Sequence, residues 1–205
     1  MTPGLVYAFT GEGKGKTSAA LGVAVRSLLN GEKVVLVAFY KQESWGLSES
    51  KLQEKFPNLE MIFTGKGFRI TNFDKKLMKD GKELKLATIG DGAKVVDTAS
   101  EAEHIQAAKE GLEVARQRLS EKPFLLVMDE VLNAVSEGLL GEQDVLDVLE
   151  KRGDTHIVLT GRSGEPASLP AQAGRLLAGA DLVTECKKIK HPYDLGKLAV
   201  KGLDF

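Results

Sequence analysis

The chain has 205 residues, a length that suits one domain with a substantial core and hardly allows two. Lys and Arg number 28 and Asp and Glu number 29, so the net charge of −1 excludes a global attraction to nucleic acid or to an anionic membrane. The single cysteine, Cys186, excludes an internal disulfide. The apolar run near the N-terminus has about five residues, far fewer than the roughly 18 that span a bilayer, and we therefore expect a cytoplasmic protein without a membrane anchor.

A glycine-rich loop follows this apolar run. Residues 5–9 predict a strand and residues 16–29 predict a helix. Between them lies the segment Thr10-Gly11-Glu12-Gly13-Lys14-Gly15-Lys16-Thr17, continued by Ser18. Its glycines let backbone N–H groups turn toward an anion, the helix adds the positive end of its dipole, and Lys16 adds a full charge. Thr17 supplies a hydroxyl where such loops bind Mg²⁺, so the segment predicts a phosphate-binding loop, or P-loop.

The spacing of this loop departs from the usual pattern G-x-x-x-x-G-K-[ST]. Thr10 occupies the place of the first glycine, and Gly11 comes one residue late. The alternative interpretation is a surface turn that joins a strand to a helix. The strand predicted before the loop and the helix predicted after it favour the P-loop.

The rest of the chain alternates between strand and helix patterns. Further strands are predicted at residues 33–39, 59–63, 124–130, 155–160 and 180–186. Further helices are predicted at residues 47–56, 99–119, 131–137 and 142–151, and from an N-cap at Ser168 and Pro170 in its first turn to residue 178. Residues 74–97 favour a hairpin, and residues 195–205 favour a short strand or a tail.

This alternation predicts an α/β fold. We expect a single three-layer domain over residues 1–205, with a mostly parallel sheet and helices on both of its faces, like that of a P-loop NTPase. Such a fold indicates a nucleotide and does not specify the reaction.

Charged residues follow three of the predicted strands. Asp129 and Glu130 end one strand, where a carboxylate can bind Mg²⁺ directly or through water; the alternative is that they cap the next helix. Arg162 leaves another strand at the edge where a guanidinium can reach phosphate oxygens. Lys41 follows the second strand and lies near the P-loop if the first two strands are neighbours, with a solvated lysine as an equal alternative.

Two other residues have two interpretations each. Arg26 lies on the first predicted helix, where a solvated arginine is the default and a phosphate contact is the alternative. Phe68 follows two glycines in a predicted loop, so it is either a core residue or a ligand contact.

Taken together, these residues resemble the ATP:corrinoid adenosyltransferases, which modify corrinoids in vitamin B12 synthesis and salvage. The resemblance covers most of the chain, includes the late first glycine, and rests on four blocks. They are residues 10–17 with Ala19, Ala20 and Arg26; Gly67-Phe68 ahead of Asp74; Asp129-Glu130 with Asn133, Ala134, Gly138 and Leu139; and residues 159–162, 180–185, 190–192 and 202–205.

The resemblance implies that a Co(I) corrinoid attacks the 5′ carbon of ATP and expels inorganic triphosphate. It implies catalytic roles for Lys16, Glu130 and Arg162. Thr17 and Glu130 would bind Mg²⁺, with Asp129 behind them. The residues implied to bind ATP are Thr10, Gly11, Glu12, Gly13, Lys14, Gly15, Lys16, Thr17, Ser18, Arg26, Arg162, Lys190 and His191, and those implied to contact the corrinoid are Phe68, Lys41 and Asn133.

The resemblance also implies a homodimer, an electron-donating flavoprotein or similar reductase as a partner, and no nucleic-acid partner. The sequence departs from the family at Ile70, where a tryptophan is common; Phe73 or Trp45 are the candidates to replace it. Ala38 and Gln42 also differ from the usual residues. Residues 75–98 have no counterpart in the shorter members and are a lid, a corrinoid contact or a decoration.

Three other functions compete with adenosyl transfer. A P-loop ATPase or small-molecule kinase would release ADP. A corrinoid- and ATP-binding carrier would bind without alkylation. A nucleic-acid motor is disfavoured because the near-neutral chain has no basic stripe.

Overall fold

The computed structural model describes residues 2–67, 69–70, 73–79, 82–89, 93–163, 173–197 and 199–204. Its strands are β1 (Val6–Thr10), β2 (Val34–Ala38), β3 (Leu59–Phe63), β4 (Lys75–Lys79), β5 (Lys82–Ile89), β6 (Ala93–Asp97), β7 (Leu125–Asp129), β8 (His156–Thr160) and β9 (Leu182–Glu185). Its α-helices are α1 (Lys16–Leu29), α2 (Leu52–Lys55), α3 (Glu101–Ser120), α4 (Val131–Ser136), α5 (Glu142–Glu150) and α6 (Gly174–Ala178). Short 3₁₀ turns occupy Glu43–Trp45, Ser48–Lys51 and Pro192–Leu195.

Six strands form the main sheet in the order β3-β2-β7-β8-β1-β9, and every neighbouring pair is parallel. The central strands β2 and β7 are buried along their whole length, as continuous apolar runs in a doubly covered sheet should be. Alternate residues of these strands belong to two separate cores, one shared with α1 and the other with α3, α4 and α5. The predicted α/β fold, with a parallel sheet between two helical layers, is confirmed.

The first two strands of the chain are not neighbours, because β7 and β8 lie between them. Lys41 was expected near the P-loop on the condition that β1 and β2 were neighbours, and the strand order does not meet this condition. The order instead puts β2 beside β7, and Ala38 pairs with Asp129 at the ends of these two strands. Lys41 thus leaves the sheet beside the predicted acid pair.

One local prediction differs from the structure, one is decided between its two alternatives, and one is not tested. Residues 48–55 form a 3₁₀ turn and a single turn of α-helix, and Pro57 follows where the longer predicted helix had to stop. The described residues 199–204 contain turns and no strand, so the end of the chain is a tail. The predicted helix start at Ser168 and Pro170 lies outside the described residues.

A second, three-stranded sheet is formed by β4, β5 and β6 and is antiparallel. The predicted hairpin is confirmed, and β4 adds a strand to it. The chain then enters α3 through a capping box in which the Ser100 hydroxyl and the Glu103 carboxylate satisfy each other's backbone N–H groups. Within the described residues, none of the helices combines the length and the apolar character needed to cross a membrane.

Gly111 lets α3 pack closely on the residues that follow β2 and β3. A Cβ at this position would lie 2.6 Å from Thr64 Oγ1 and 3.1 Å from Phe39 Cε1. We expect Gly111→Ala to destabilise the fold by about 1–3 kcal/mol, although alanine gains about 1 kcal/mol in helix propensity. Urea unfolding measures the effect.

The matched control is Gly22→Ala in α1, where the added Cβ meets no atom within 4 Å. This variant should gain up to about 1 kcal/mol. A Gly111→Ala variant as stable as the Gly22→Ala variant would contradict the close packing.

Candidate nucleotide site

A cavity of about 630 Å³ lies at the carboxyl edge of the main sheet. The loops after parallel strands meet at this edge, so side chains far apart in sequence surround one space. The residues that line it come from the P-loop, the loop after β2, the ends of β7 and β8, and the C-terminal segment. They are residues 12–18, Leu21, Lys41, Ser48, Glu49, Glu130, Arg162, Lys188, His191, Asp194 and residues 202–204.

The P-loop packs against the end of β9, and this contact explains its late first glycine. Gly11 has a φ of 98°, and a Cβ there would lie 2.5 Å from the Cys186 carbonyl oxygen. The Cys186 N–H donates to the Thr10 carbonyl and the Gly13 N–H donates to the Cys186 carbonyl, both at 2.7 Å. Gly11 is therefore the position in this loop where backbone conformation and space both require glycine.

The Lys16 ammonium lies over the loop that precedes it. Its Nζ donates to the carbonyls of Gly11 and Gly13, at 2.8 Å each, and the residue is only 8% exposed. An ammonium has three donors, and these carbonyls use two. Lys16 is thus held in a fixed place at the N-terminus of α1, which adds its own positive potential.

The buried carboxylate of Asp129 connects three parts of the site. Its Oδ1 accepts hydrogen bonds from the hydroxyls of Thr17, at 3.0 Å, and Thr160, at 2.7 Å. Its Oδ2 is buried, accepts no hydrogen bond from the described residues, and lies 3.2 Å from Lys41 Nζ, an ion-pair distance. Thr160 was not predicted as a site residue, although it stood in the block 159–162 that carried the family resemblance.

Glu130 lines the cavity in an unusual backbone conformation. Its φ of 65° is left-handed, which costs a non-glycine residue roughly 1–3 kcal/mol. Its N–H donates to Thr160 Oγ1 at 2.8 Å. Burial, with the added charge of Asp129, raises the pKa of the Glu130 carboxyl to about 7 despite Lys16, Lys41 and Arg162 nearby. The strained turn thus directs a poorly solvated carboxylate into the cavity.

The oxygen atoms around this turn suit Mg²⁺. The Thr17 hydroxyl, the Glu130 carboxylate and the Asp129 Oδ2, which accepts no hydrogen bond from the described residues and pairs with Lys41, are hard oxygen ligands of the kind that Mg²⁺ prefers. The described residues contain no group of three or more His, Cys, Asp or Glu that would form an all-protein cage. Mg²⁺ commonly takes one or two protein ligands and completes its shell with phosphate and water, so the residues present fit this ion.

Lys41 reaches this site from β2. Its Nζ lies 2.9 Å from Glu49 Oε1 as well as 3.2 Å from Asp129 Oδ2. Burial alone would lower the pKa of Lys41, but the charges of Asp129 and Glu49 outweigh it and raise the pKa above its ordinary value. Lys41 therefore stays protonated beside the acid pair.

Arg162 lines the cavity and contacts the P-loop, with its Nε 3.1 Å from Glu12 Oε2. Asn133, on α4, is not among the residues that line the cavity; its amide oxygen accepts a hydrogen bond from the Arg162 N–H. Asn133 thus positions the backbone that carries Arg162.

Four of the predicted ATP-binding residues, Thr10, Gly11, Arg26 and Lys190, do not line the cavity. Arg26 is exposed in the last turn of α1, about 15 Å along the helix axis from Lys16. Lys190 is exposed and does not line the cavity, whereas His191 does. Phe68 lies outside the described residues.

The C-terminal segment supplies lining residues that sequence reasoning missed as site residues. The Lys14 ammonium of the P-loop forms an ion pair with Asp204, and Lys188 pairs with Asp194 at 2.6 Å. Asp204 stood in the block 202–205 that carried the family resemblance, and this block could have indicated a site residue. Glu49 had no such signal.

The fold and the site together define a P-loop nucleotide-binding protein. A parallel sheet carries a glycine-rich loop before α1, an acid pair at the end of a buried strand, and basic side chains around one cavity. The family model described as ATP:corrinoid adenosyltransferase BtuR/CobO/CobP matches residues 2–205. The chain belongs to this family of enzymes, which use ATP and a corrinoid as substrates.

Curated relatives agree with this assignment. The corrinoid adenosyltransferase of Pseudomonas aeruginosa is 29% identical over 204 residues, which cover 98% of this chain and 84% of that protein. The corrinoid adenosyltransferase of Escherichia coli (strain K12) is 27% identical and is covered to 86%, again with 98% of this chain. Among solved structures, the flagellar accessory protein FlaH from Methanocaldococcus jannaschii aligns with 89% of this chain and 70% of that chain, at 11% identity and a TM-score of 0.47.

Thr160→Val tests the hydroxyl that joins the two acids. The variant removes the hydrogen bonds to Asp129 and from Glu130, so we expect a loss of about 1–3 kcal/mol in unfolding free energy and a fall on the order of 10-fold in ATP-dependent activity. The control is Thr155→Val at the other end of the sheet, whose buried hydroxyl donates to the Pro123 carbonyl. It should lose stability and keep its activity; equal losses of activity would contradict a specific role for Thr160.

Proposed function

We propose that this cavity binds ATP with its triphosphate along the P-loop and performs the reaction of the family through the residues described above. The corrinoid, as Co(I), donates an electron pair to the 5′ carbon of ATP, and the bond between this carbon and the phosphate oxygen breaks. The released triphosphate keeps the bonding pair and gains one negative charge. The observation that carries the proposal is the set of cationic side chains, Lys14, Lys16, Lys41 and Arg162, that line one cavity.

These cations act on the leaving group. Lys16 is held at the helix N-terminus, and Lys14 and Arg162 line the same space. Charges that are in place before the reaction stabilise developing charge without reorganisation, which is the largest single contribution in many enzymes. Because cobalt supplies the nucleophile, the protein needs no base to activate one, and its tasks are positioning and charge stabilisation.

We propose Thr17 and Glu130 as the residues that bind Mg²⁺, with Asp129 held behind them by Thr17 and Thr160. When bound, Mg²⁺ would share the charge of the triphosphate. The support is the group of hard oxygen atoms in which one buried carboxylate oxygen accepts no hydrogen bond among the described residues.

The proposals for the corrinoid side rest on the family resemblance. We retain Phe68, Lys41 and Asn133 as corrinoid contacts, although the ion pairs of Lys41 with Asp129 and Glu49 favour a role on the nucleotide side. Contacts of ATP with Arg26 and Lys190 are likewise proposals that the cavity lining does not support.

We further propose one domain over residues 1–205, a homodimer in the cytoplasm, and a flavoprotein or similar reductase as the electron donor. The edge strand β9 exposes Leu182 and Val183, and Ile189 after it is 90% exposed. The family resemblance implies the second copy of the chain, and these exposed apolar side chains are the support that the structure offers for it. Light scattering should give twice the mass of the chain.

The direct test of the function mixes the protein with Mg²⁺-ATP and chemically reduced Co(I) cobalamin without oxygen. We expect a light-sensitive alkylated corrinoid and one inorganic triphosphate for each product molecule. Release of ADP without alkylation would instead indicate an ATPase or kinase.

Glu130→Gly separates catalysis from stability. Glycine tolerates the φ of 65° and removes a poorly solvated carboxylate, so we expect unfolding free energy to stay the same or rise by up to about 1 kcal/mol. Activity should fall on the order of 100-fold as a proposed Mg²⁺ ligand is lost. Differential scanning calorimetry and the alkylation assay measure the two effects.

The matched control is Lys122→Gly, because Lys122 has a φ of 53° and lies outside the cavity. It should show a similar change in stability at full activity. A Glu130→Gly variant that remains fully active would remove Glu130 from the proposed mechanism.

A further inference from the structure

The segment 64–70, of which residues 64–67 and 69–70 are described, follows β3 at the carboxyl edge of the main sheet. Its first half is bound to the residues that follow β2: the Gly65 N–H donates to the Lys41 carbonyl and the Gly67 N–H donates to the Tyr40 carbonyl, both at 3.1 Å. The segment is thus attached to the residue that forms the ion pair with Asp129.

Arg69 fixes the second half of the segment to two helices. Its guanidinium makes two hydrogen bonds to the Glu101 carboxylate on α3 and one of 3.0 Å to Glu137 at the end of α4. Glu137 also accepts a 3.0 Å hydrogen bond from the Tyr40 hydroxyl. These bonds raise the pKa of Arg69 and keep its guanidinium charged.

Asp97, the last residue of β6, holds the next residue of the segment. Its Oδ2 accepts the Ile70 N–H at 3.0 Å, and its Oδ1 accepts the Ala99 N–H at 3.0 Å. Oδ1 also lies 3.0 Å from His104 Nε2 on α3, and Lys85 Nζ of β5 lies 3.6 Å from Oδ2. One carboxylate therefore joins the segment 64–70, the three-stranded sheet and α3.

The Asp97 carboxylate is buried, so it needs hydrogen-bond partners to compensate for lost hydration. Asp97 is 1% exposed and His104 is 3% exposed. Burial by itself would raise the pKa of Asp97, but the hydrogen bonds from Ile70, His104 and Ala99 outweigh it and lower the pKa below its usual value. A buried charge of this kind orients its donors, since it is stable only when all of them stay in place.

We propose that the three-stranded sheet holds the segment 64–70 in place. Asp97 and His104 are then positioning residues for the corrinoid. This inference rests on the proposed function. None of the described residues of the segment lines the nucleotide cavity, although the segment is bonded directly to Lys41, which does. The segment follows β3, which is separated by β2, β7 and β8 from β1, the strand that precedes the P-loop. We therefore assign the segment to the side of the second substrate.

A rigid wall matters here because the reaction joins two large substrates at one carbon atom. A displacement of about 1 Å can cost on the order of 100-fold in rate when the reacting atoms must be aligned. Loss of the Asp97 contacts should therefore lower kcat/KM for the corrinoid. Asp97 does not contact the P-loop, so the binding of Mg²⁺-ATP should stay unchanged.

The test varies ATP and Co(I) corrinoid separately in steady-state kinetics of the full chain. For Asp97→Asn we expect kcat/KM for the corrinoid to fall on the order of 10-fold or more and the Kd for Mg²⁺-ATP to change less than about 2-fold. The control is Glu83→Gln in the same small sheet, whose carboxylate forms only a surface ion pair with Lys76 among the interactions described. It should leave both quantities unchanged.

Two His104 variants guard against loss of folding in the Asp97 variant. His104→Gln keeps an N–H donor for Asp97 and should stay near wild type, whereas His104→Leu removes the donor and should behave like Asp97→Asn. Hydrogen exchange adds a readout independent of activity: in Asp97→Asn the Ile70 amide should exchange faster and the P-loop amides should not.

The outcomes distinguish this inference from the proposed function. Suppose that the wild type is active and that Asp97→Asn either keeps the wild-type kcat/KM for the corrinoid or is impaired equally toward the corrinoid and ATP. Either result would overturn the positioning role alone. Unchanged exchange at Ile70 would do the same. A wild type that fails to alkylate the corrinoid would overturn the proposed function and this inference with it.

Discussion

The site depends on one buried carboxylate, that of Asp129. A carboxylate removed from water costs several kcal/mol unless partners compensate it. Here the partners are the hydroxyls of Thr17 and Thr160 and the ammonium of Lys41, which come from α1, β8 and the loop after β2. Their mutual position is therefore set by a single group. The P-loop, the end of β8 and Lys41 are joined at the cavity through this one carboxylate.

Most cations of the cavity pair with carboxylates, whereas Lys16 is held by backbone carbonyls. Lys41 lies between Asp129 and Glu49, Arg162 pairs with Glu12, and Lys14 pairs with Asp204. Pairing holds long, flexible side chains in defined places, which lowers the entropy lost when a ligand is bound. A triphosphate would meet cations whose positions are already set, and this suits a reaction whose demand on the protein is to stabilise a departing anion.

Local patterns predicted the elements that carry their own signal. The continuous apolar runs of β2 and β7 indicated strands buried on both faces, and the spacing of apolar residues predicted α1 and α3 nearly to their ends. The pattern was weaker in residues 48–55, where a 3₁₀ turn replaces part of the predicted helix. It also did not reveal β4, whose sequence Lys-Lys-Leu-Met-Lys has no alternation and which is defined by its pairing with β5.

The sequence by itself determined the P-loop, the acid pair Asp129-Glu130, the α/β class and the family, because these are written in short runs of neighbouring residues. Only the tertiary structure decided that Lys41 contacts Asp129, that Thr160 joins the two acids, that Asp97 holds Ile70, and that Arg26 lies away from the cavity. The physical reason is that these contacts span from 27 to 88 residues, or follow from the rise of a helix along its axis. They depend on the order of the strands and their register, which no local pattern encodes.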